Sequence, residues 1–222
     1  MNNLLRSAAG CLAGILLAGC NSMTSASYNT LKLAISGPES VMTTDTINQL
    51  GLPALIARMG LSEALLVRAS QYQQTSEWHG AEQGLVTRNG RLIQTAGLPE
   101  KADLLAPLLP NDPFLGDLRE TDGTTVTRMI DMPDRYLTGV PQRATYQVGK
   151  LESITIMGID RPLLRVEEAI RTPALGLSET NIFWVDPDNG QVVASKQYLV
   201  PELPPLFLTE VYPAGAQPGF FV

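Results

Sequence analysis

The sequence predicts a mainly β domain built on an antiparallel sheet, with one or two short helices before the sheet. From Ala54 on, most apolar runs are four to eight residues long and end at Gly, Pro, Asn or Asp, as antiparallel strands do. The dipeptide Asn89-Gly90 lies between two of these runs and accepts the positive φ angles of a type I′ hairpin turn. With 222 residues, 44% of them hydrophobic, the chain is long enough to bury a core.

Residues 1–19 predict a cleaved secretory signal peptide. Arg6 supplies one positive charge, and the apolar stretch from Ser7 to Leu17 is too short to span about 30 Å of lipid as a helix. Leu17-Ala18-Gly19-Cys20 resembles the bacterial lipoprotein box, in which the cysteine thiol receives a diacylglyceryl group. We therefore expect cleavage before Cys20 and a lasting membrane anchor on that residue.

The residues after the cleavage site indicate where the anchored protein resides. An aspartate after the cysteine would resemble an inner-membrane retention signal, but Asn21 stands there, so we expect the outer membrane, with the protein facing the periplasm. Within residues 20–27, the predicted lipidated Cys and tether, residues 21–27 are small and polar and reach at most about 23 Å. Cys11 leaves with the signal peptide, so no disulfide is expected. Residues 28–222 are predicted to form a single domain.

Two short helices are predicted before the sheet. The first starts near Tyr28, carries apolar residues at helical spacing and stops at Gly37-Pro38. The second starts at Thr44-Asp45 and ends at Gly51-Leu52-Pro53. No internal repeat is apparent in the sequence.

The apolar runs after residue 53 give twelve candidate strands, which we take as an upper bound. Asp186-Pro187-Asp188-Asn189-Gly190 predicts a second hairpin turn of the same kind as Asn89-Gly90. The proline-rich segment 99–123 predicts a long loop that crosses the outside of the sheet. The candidate strands are 54–59, 63–70, 75–79, 84–88, 91–96, 125–131, 143–149, 151–159, 163–168, 180–186, 191–199 and 206–211.

The charge and the histidine content narrow the functional classes. The formal net charge is −6, which gives no cationic field for nucleic acid. His79 is the single histidine, so no histidine-based metal site and no cofactor are predicted. Asp186, Asp188 and Asn189 are similar to part of a calcium loop, but the spacing is one residue short and Gln197 replaces the closing glutamate. A plain turn is the favoured interpretation.

Candidate binding and catalytic residues come from aromatic, basic and acidic side chains near predicted strands. Trp78 beside His79 is suited to stack on a sugar, although packing is the commoner role of such a pair, and Trp184 is expected in the core. A glycosidase needs two carboxyl groups in one cleft, for which Glu77, Asp160 and Asp186 are candidates, although solvated strand ends are the favoured interpretation. A groove for an acidic polysaccharide, rather than a solvated arginine face, would use Arg88, Arg91, Arg128, Tyr136 and Tyr146. The predicted glycan contacts are Arg88, Arg91, Trp78 and Tyr146.

The chain resembles a known lipoprotein family in four places. These are the lipoprotein box, ARMG at 57–60, LVTRNGRLIQTAGL at 85–98, and NIFWVD at 181–186 with GQVVASKQ at 190–197. These segments are similar to the YjbF/GfcB-like lipoproteins of exopolysaccharide and group 4 capsule gene clusters. The resemblance implies a β-barrel-like closure of the sheet, with a sandwich as the alternative, and a role in making or exporting a surface polysaccharide. It implies no catalytic residues.

Three functions remain open from the sequence. The first is a non-enzymatic accessory factor that assists polysaccharide production or export through contact with biosynthesis or export proteins. The second is a module that binds the polysaccharide itself. The third is a lipoprotein glycosidase or lyase. Absence of a metal-binding, nucleophile or phosphate-loop motif from the sequence favours the first function.

The lipoprotein box gives the first testable prediction. Cys20→Ser removes the thiol that accepts the diacylglyceryl group, so we expect an uncleaved or mislocalised precursor without lipid. Cells are fed labelled fatty acid and the protein is recovered and counted. Label that persists in the Cys20→Ser variant would contradict the assignment of Cys20 as the anchor.

Overall fold

The predicted strands form one antiparallel sheet. A computed structural model describes residues 42–216 of the chain, and the signal peptide, Cys20 and the first predicted helix lie outside these residues. In the described part, one α-helix, α1 (Thr44–Leu50), precedes eleven strands of a single curled sheet. The strands are β1 (Ala54–Met59), β2 (Ser62–Tyr72), β3 (Thr75–His79), β4 (Gly84–Arg88), β5 (Arg91–Ala96), β6 (Thr125–Met132), β7 (Leu137–Ile156), β8 (Ile159–Thr172), β9 (Leu177–Val185), β10 (Val192–Gln197) and β11 (Leu206–Val211).

The sheet places the first and last strands side by side in its middle. Its order is β5-β4-β3-β2-β1-β11-β10-β9-β8-β7-β6, so hairpins supply every neighbour except the β1–β11 pair and the two edges are β5 and β6. The sheet curls into a half-barrel, which confirms the predicted mainly β, barrel-like class.

The structure has one strand fewer than the twelve runs suggest. Runs 143–149 and 151–159 belong mostly to one strand of 20 residues, β7. The register with β8 shifts between Val148 and Leu151, which marks a bulge. A side chain on Gly149 would lie 3.1 Å from the carbonyl oxygen of Arg165. The glycine that seemed to end a strand instead permits a bulge within it.

Helix α1 forms as predicted and packs on the outer face of the sheet. The hydroxyl of Thr43 accepts a hydrogen bond from the backbone N–H of Thr46 at 3.2 Å. Gly51 ends the helix in a left-handed conformation with φ 67°. Ile47 is buried in one cluster with Ala54, and the helix thereby covers the start of β1. Within residues 42–216, no helix is long and apolar enough to cross a membrane.

The core lies on both faces of the sheet. The inner face buries two apolar clusters, one around Trp78 and one around Phe183. On the outer face, Trp184 packs with Leu163 and Ile154, and its indole N–H donates to Glu152 at 3.0 Å. Trp184 is therefore a core residue as predicted, covered by the long β7–β8 hairpin.

The prediction that residues 99–123, between β5 and β6, cross the outside of the sheet is wrong. This segment, which we call the strap (residues 97–124), lies between the two edge strands. Leu105 pairs with Gln94 of β5 and with Asp131 of β6. Phe114 and Leu118 of the strap are fully buried in the core. The prediction failed because the prolines of this segment indicate an exposed loop and mask the signal of its apolar residues. In the structure, the burial and pairing of these apolar residues cover both open edges of the sheet.

The β6–β7 and β8–β9 hairpins share one turn structure that the sequence does not reveal. Pro133 and Pro173 each start a single 3-10 turn that ends in a left-handed residue, Tyr136 in one case and Gly176 in the other. The residue before each proline has nearly the same backbone angles, φ −129° with ψ 89° or 85°. The repeat places Arg128 on β6 and Glu168 on β8 at matching positions, each five residues before its proline.

The two predicted hairpin turns differ from one another. Asn89 and Gly90 have φ 42° and 75°, which confirms the type I′ turn. In the connection between β9 and β10, Gly190 has φ 77°, whereas Asn189 is not among the residues with positive φ, so this turn is of another kind. The N–H of Gly190 donates to the carbonyl of Asp186 at 2.9 Å and closes a wider loop.

The Asn89-Gly90 turn gives the second prediction. A Cβ on Gly90 would lie 2.4 Å from Cγ1 of Val192, so Gly90→Val adds a clash to the strain of a positive φ. Gly158→Val is the matched control, because Met157 and Gly158 form another hairpin turn with two positive φ angles and a Cβ on Gly158 meets nothing within 4 Å.

Gly158→Val should cost about 1–3 kcal/mol of unfolding free energy from strain. Gly90→Val should cost roughly 1–3 kcal/mol more, because the clash adds to the strain. Urea denaturation of a fragment that begins at residue 21 measures both. Equal losses in the two variants would show that the hairpin does not pack against β10.

Candidate functional site

The inside of the half-barrel contains a group of buried ionisable side chains, the Glu168 cluster. Its members are Arg91, Asp112, Arg128, Tyr146 and Glu168, and each of them is buried. They come from β5, the strap, β6, β7 and β8, so five separate segments meet at one point.

Glu168 is the centre of this cluster. Its carboxylate accepts hydrogen bonds from Arg91 Nη1 at 2.5 and 2.7 Å and from Arg128 Nη1 at 2.6 Å. The hydroxyl of Tyr146 donates to it at 2.5 Å, and the side-chain amide of Asn181 donates at 2.8 Å. Both carboxylate oxygens are therefore fully engaged by donors of this chain.

Arg128 connects the strap to the same centre. Its Nε donates to Asp112 at 2.5 Å and its Nη2 donates to the same carboxylate at 3.1 Å, which makes a two-pronged contact. Its Nη2 also donates to the hydroxyl of Tyr146. The guanidinium carbons of Arg91 and Arg128 lie 5.4 and 5.8 Å from the ring centre of Phe114. Two arginines thus balance two carboxylates inside the core.

The electrostatics of the cluster fix the charged form of Glu168. Burial alone would raise the pKa of this carboxyl, but the charges of Arg91 and Arg128 and the hydrogen bonds from Tyr146 and Asn181 outweigh it and lower the pKa to about 2. Burial and the neighbouring Glu168 raise the pKa of Tyr146, which keeps its proton. A carboxylate that is ionised at neutral pH and fully hydrogen-bonded has neither a proton to donate nor a free oxygen to act as a base.

A second ionisable group lies beside a narrow cleft between the β4–β5 turn and strands β10 and β11. Glu210 lines this cleft with Leu55, Gly90 and Ser195, and burial raises its pKa to about 7. The hydroxyl of Tyr212 donates to Glu210 at 2.9 Å. The cleft has a volume of about 10 Å³, which is room for about one water molecule and not for a sugar ring.

Three of the four predicted glycan-contact residues are inside the protein. Trp78, Arg91 and Tyr146 are buried, and the indole N–H of Trp78 donates to the hydroxyl of Thr87 at 2.9 Å. Buried side chains offer no surface to a polymer in this structure. Arg88 is half-buried and donates to the hydroxyl of Thr75 at 3.2 Å. A glycan contact at Arg88 stays a prediction.

The structure does not assemble the predicted arginine groove. Arg128 is fully buried in the Glu168 cluster, whereas Tyr136 lies in the β6–β7 turn and is 94% exposed. His79 is exposed at the end of β3, and the side chain of its neighbour Trp78 points into the core. These residues therefore do not share one surface.

Glu77 lies far along the sheet from the other two candidate catalytic carboxylates. Five strands separate β3, which carries Glu77, from β8, which carries Asp160. Asp160 accepts a hydrogen bond from the hydroxyl of Thr155 at 2.6 Å, and Asp186 pairs with Arg161 at 3.3 Å.

The Asp186 turn uses its own oxygens for the backbone. Asp186 Oδ1 accepts from the N–H of Asp188 at 3.0 Å, and Asn189 Oδ1 accepts from the N–H of Gln191 at 2.9 Å. These contacts support the interpretation of this segment as a turn. Among residues 42–216, no three His, Cys, Asp or Glu side chains group as a metal site.

Sequence reasoning missed Glu168, Asp112 and Asn181. A usable signal was present for Glu168, because it ends the predicted strand 163–168 and alternates with Val166 before it and Ile170 after it, where an inward side chain is expected. Asp112 has no such signal, since it lies in the strap.

Comparisons with known proteins agree with the predicted family. The family model described as group 4 capsule polysaccharide lipoprotein gfcB, YjbF, matches residues 28–211. The uncharacterised lipoprotein GfcB of Escherichia coli K12 is 26% identical over 204 residues, which cover 90% of this chain and 95% of that relative. The crystal structure of the hypothetical lipoprotein YmcC from E. coli K12 is 25% identical, covers 88% of this chain and 98% of its own, and superposes with a TM-score of 0.66.

The match extends well beyond half of the sequence, and the relatives are matched over almost their full length. The strands that carry the Glu168 cluster all lie within the matched range. The chain therefore belongs to the YjbF/GfcB family of group 4 capsule polysaccharide lipoproteins.

Proposed function

We propose that this protein is a lipoprotein of the outer membrane that assists the production or export of a surface polysaccharide without catalysing a reaction. The observation that carries the proposal is the family match over residues 28–211 to lipoproteins of group 4 capsule. The lipoprotein box supports an anchor at Cys20, and residues 21–27 would keep the domain close to the periplasmic face of the membrane. Its partners are proteins of polysaccharide biosynthesis or export.

The chemistry of the described side chains supports a non-catalytic role. The charges of the Glu168 cluster neutralise each other, and Glu168 has no free oxygen. Glu210 has a pKa suited to proton transfer, but its polar neighbours are Tyr212 and Arg68 and the cleft beside it does not hold a sugar ring. The cluster therefore acts as a structural tie between segments, and function resides on the outside of the protein.

An enzyme and a glycan-binding module would each require different structural features. A glycosidase or lyase needs a wet cleft with two carboxyl groups about 5–10 Å apart, and Glu210 is the described carboxyl with the best matching pKa. A glycan-binding module needs an exposed surface that complements the polymer. Arg143 and Arg171 on the outside of the sheet favour this second function.

The third prediction separates an accessory factor from an enzyme. Deleting the gene should reduce polymer at the cell surface, whereas Glu77→Gln, Asp160→Asn, Asp186→Asn and Glu210→Gln should each retain it. A catalytic acid would behave otherwise, because its loss costs about 10²–10⁴-fold in rate. Surface polysaccharide is quantified beside an immunoblot of each variant. A single amide variant that is present at normal level and exports as little as the deletion would overturn the non-catalytic proposal.

The fourth prediction tests the Glu168 cluster as a structural tie. Glu168→Gln leaves Arg91 and Arg128 buried with one carboxylate between them, so it should cost about 3–5 kcal/mol of unfolding free energy at pH 7. Glu167→Gln is the matched control, because that neighbour pairs with Arg165 at a partly exposed site and should cost at most about 1 kcal/mol.

The same variants report on acid stability. The pKa of Glu168 is lowered on folding to about 2, so its stabilisation is complete above its usual value of 4.5 and is lost as the pH falls from there towards 2. The wild-type protein should lose more stability over this range than Glu168→Gln. Urea denaturation at several pH values measures the difference, and parallel curves for the two proteins would contradict a lowered pKa.

A further inference from the structure

Two arginines face each other on the outer side of the sheet. Arg143 of β7 and Arg171 of β8 are direct partners in the antiparallel register, and both are exposed. Directly opposed residues have Cβ atoms about 4.5–5.5 Å apart, and like charges at this distance destabilise a sheet. The sheet therefore contains a pair of like charges that lowers its stability.

The described part of the chain provides no counter-charge for this pair. Among residues 42–216, neither Arg143 nor Arg171 forms a side-chain hydrogen bond or an ion pair. Other arginines on the surface are paired: Arg135 lies 3.2 Å from Glu202, and Arg165 lies 2.8 Å from Glu167. The opposed pair is thus free to bind an anion from outside.

The neighbours of the pair carry hydroxyl groups. Thr127 on β6 is the register partner of Arg143, and Ser178 on β9 is the partner of Arg171. One row of residues across the four strands therefore consists of Thr, Arg, Arg and Ser. The next row on the same face contains Thr125, Thr145, Ala169 and Thr180. We call these eight residues the arginine face.

We propose that the arginine face binds an acidic polysaccharide through carboxylate groups of its sugars. A guanidinium group binds a carboxylate with two parallel hydrogen bonds. A negatively charged carboxylate that binds between two opposed guanidinium groups also relieves their repulsion. The threonine and serine hydroxyls donate to and accept from sugar hydroxyls. The choice of a polysaccharide as the partner rests on the proposed function.

Charge and composition favour this partner over a lipid surface. The whole chain has a net charge of −6, so an acidic polymer is repelled from most of the protein and attracted locally by the paired arginines. Binding to a membrane surface requires large apolar side chains that enter the lipid, whereas the two rows of the arginine face consist of arginine, hydroxylated residues and alanine.

The test measures binding of the purified, lipidated protein in a neutral detergent to polygalacturonate. Methyl-esterified polygalacturonate is the uncharged probe, and vesicles of phosphatidylglycerol are the lipid probe. The double variant Arg143→Gln/Arg171→Gln removes the pair. Arg161→Gln/Arg165→Gln removes two arginines from β8 that already have carboxylate partners, and is the control with the same change of charge.

We expect wild-type protein to bind polygalacturonate, with affinity that falls as salt is added, and to leave the methyl ester unbound. Arg143→Gln/Arg171→Gln should bind roughly tenfold more weakly, and the control should stay within about twofold of the wild type. The thermal midpoint of Arg143→Gln/Arg171→Gln should be unchanged or raised, because a repulsive pair is lost.

Four results would overturn the proposal. They are no binding of polygalacturonate, equal binding of the methyl ester, an equal loss in both double variants, and binding of vesicles that depends on Arg143 and Arg171. Because this test uses purified components, its failure leaves the accessory function standing, and that function is tested separately by the surface polymer of the deletion strain.

Discussion

Glu168 holds the two edges of an open sheet to a single carboxylate. Arg91 belongs to one edge strand and Arg128 to the other, and both donate to Glu168 on β8. The two edges of an open sheet invite association with other chains unless they are covered. The strap depends on the same centre, because Asp112 is bound by Arg128 and Leu105 pairs with both edges. The curvature of the sheet, the placement of the strap and the filled interior therefore depend on one buried ion cluster.

Because the interior of the half-barrel is filled, contacts with other molecules are expected on the outside of the protein. A curled sheet suggests a vessel for a ligand, but here the inner face is occupied by aromatic rings, aliphatic side chains and neutralised charges. The half-barrel is thus a packed scaffold, and its outer surfaces are the parts that another molecule can contact. On the outer face of β7 and β8, Arg143 and Arg171 oppose each other and form no ion pair within residues 42–216.

Local signals in the sequence predicted much of the fold. The Asn89-Gly90 turn, the helix that starts at Thr44 and the alternating runs each depend on neighbouring residues, and the structure confirms them. The misassigned features depend on distant contacts. Arg91 and Arg128 were expected at the surface because arginine is usually exposed, although alternation with Val126 and Ile130 places Arg128 on the inner side. The strap was predicted to be an outside loop because its burial depends on the two edge strands, and the sequence does not show that these strands lie on either side of it.

The pairing of β1 with β11 makes completion of the fold depend on the end of the chain. Ala54 pairs with Val211, so the central seam of the sheet joins residues that are far apart in sequence. Contacts of this separation form slowly, because a long loop must close first. A chain synthesised from its amino terminus leaves β1 without its neighbour β11 until the end of the chain is available. Loss of the last strand would remove the backbone pairing that joins β1 to β10 through β11, and the two halves of the sheet would be held together by side-chain contacts across the interior, such as that of Arg91 with Glu168.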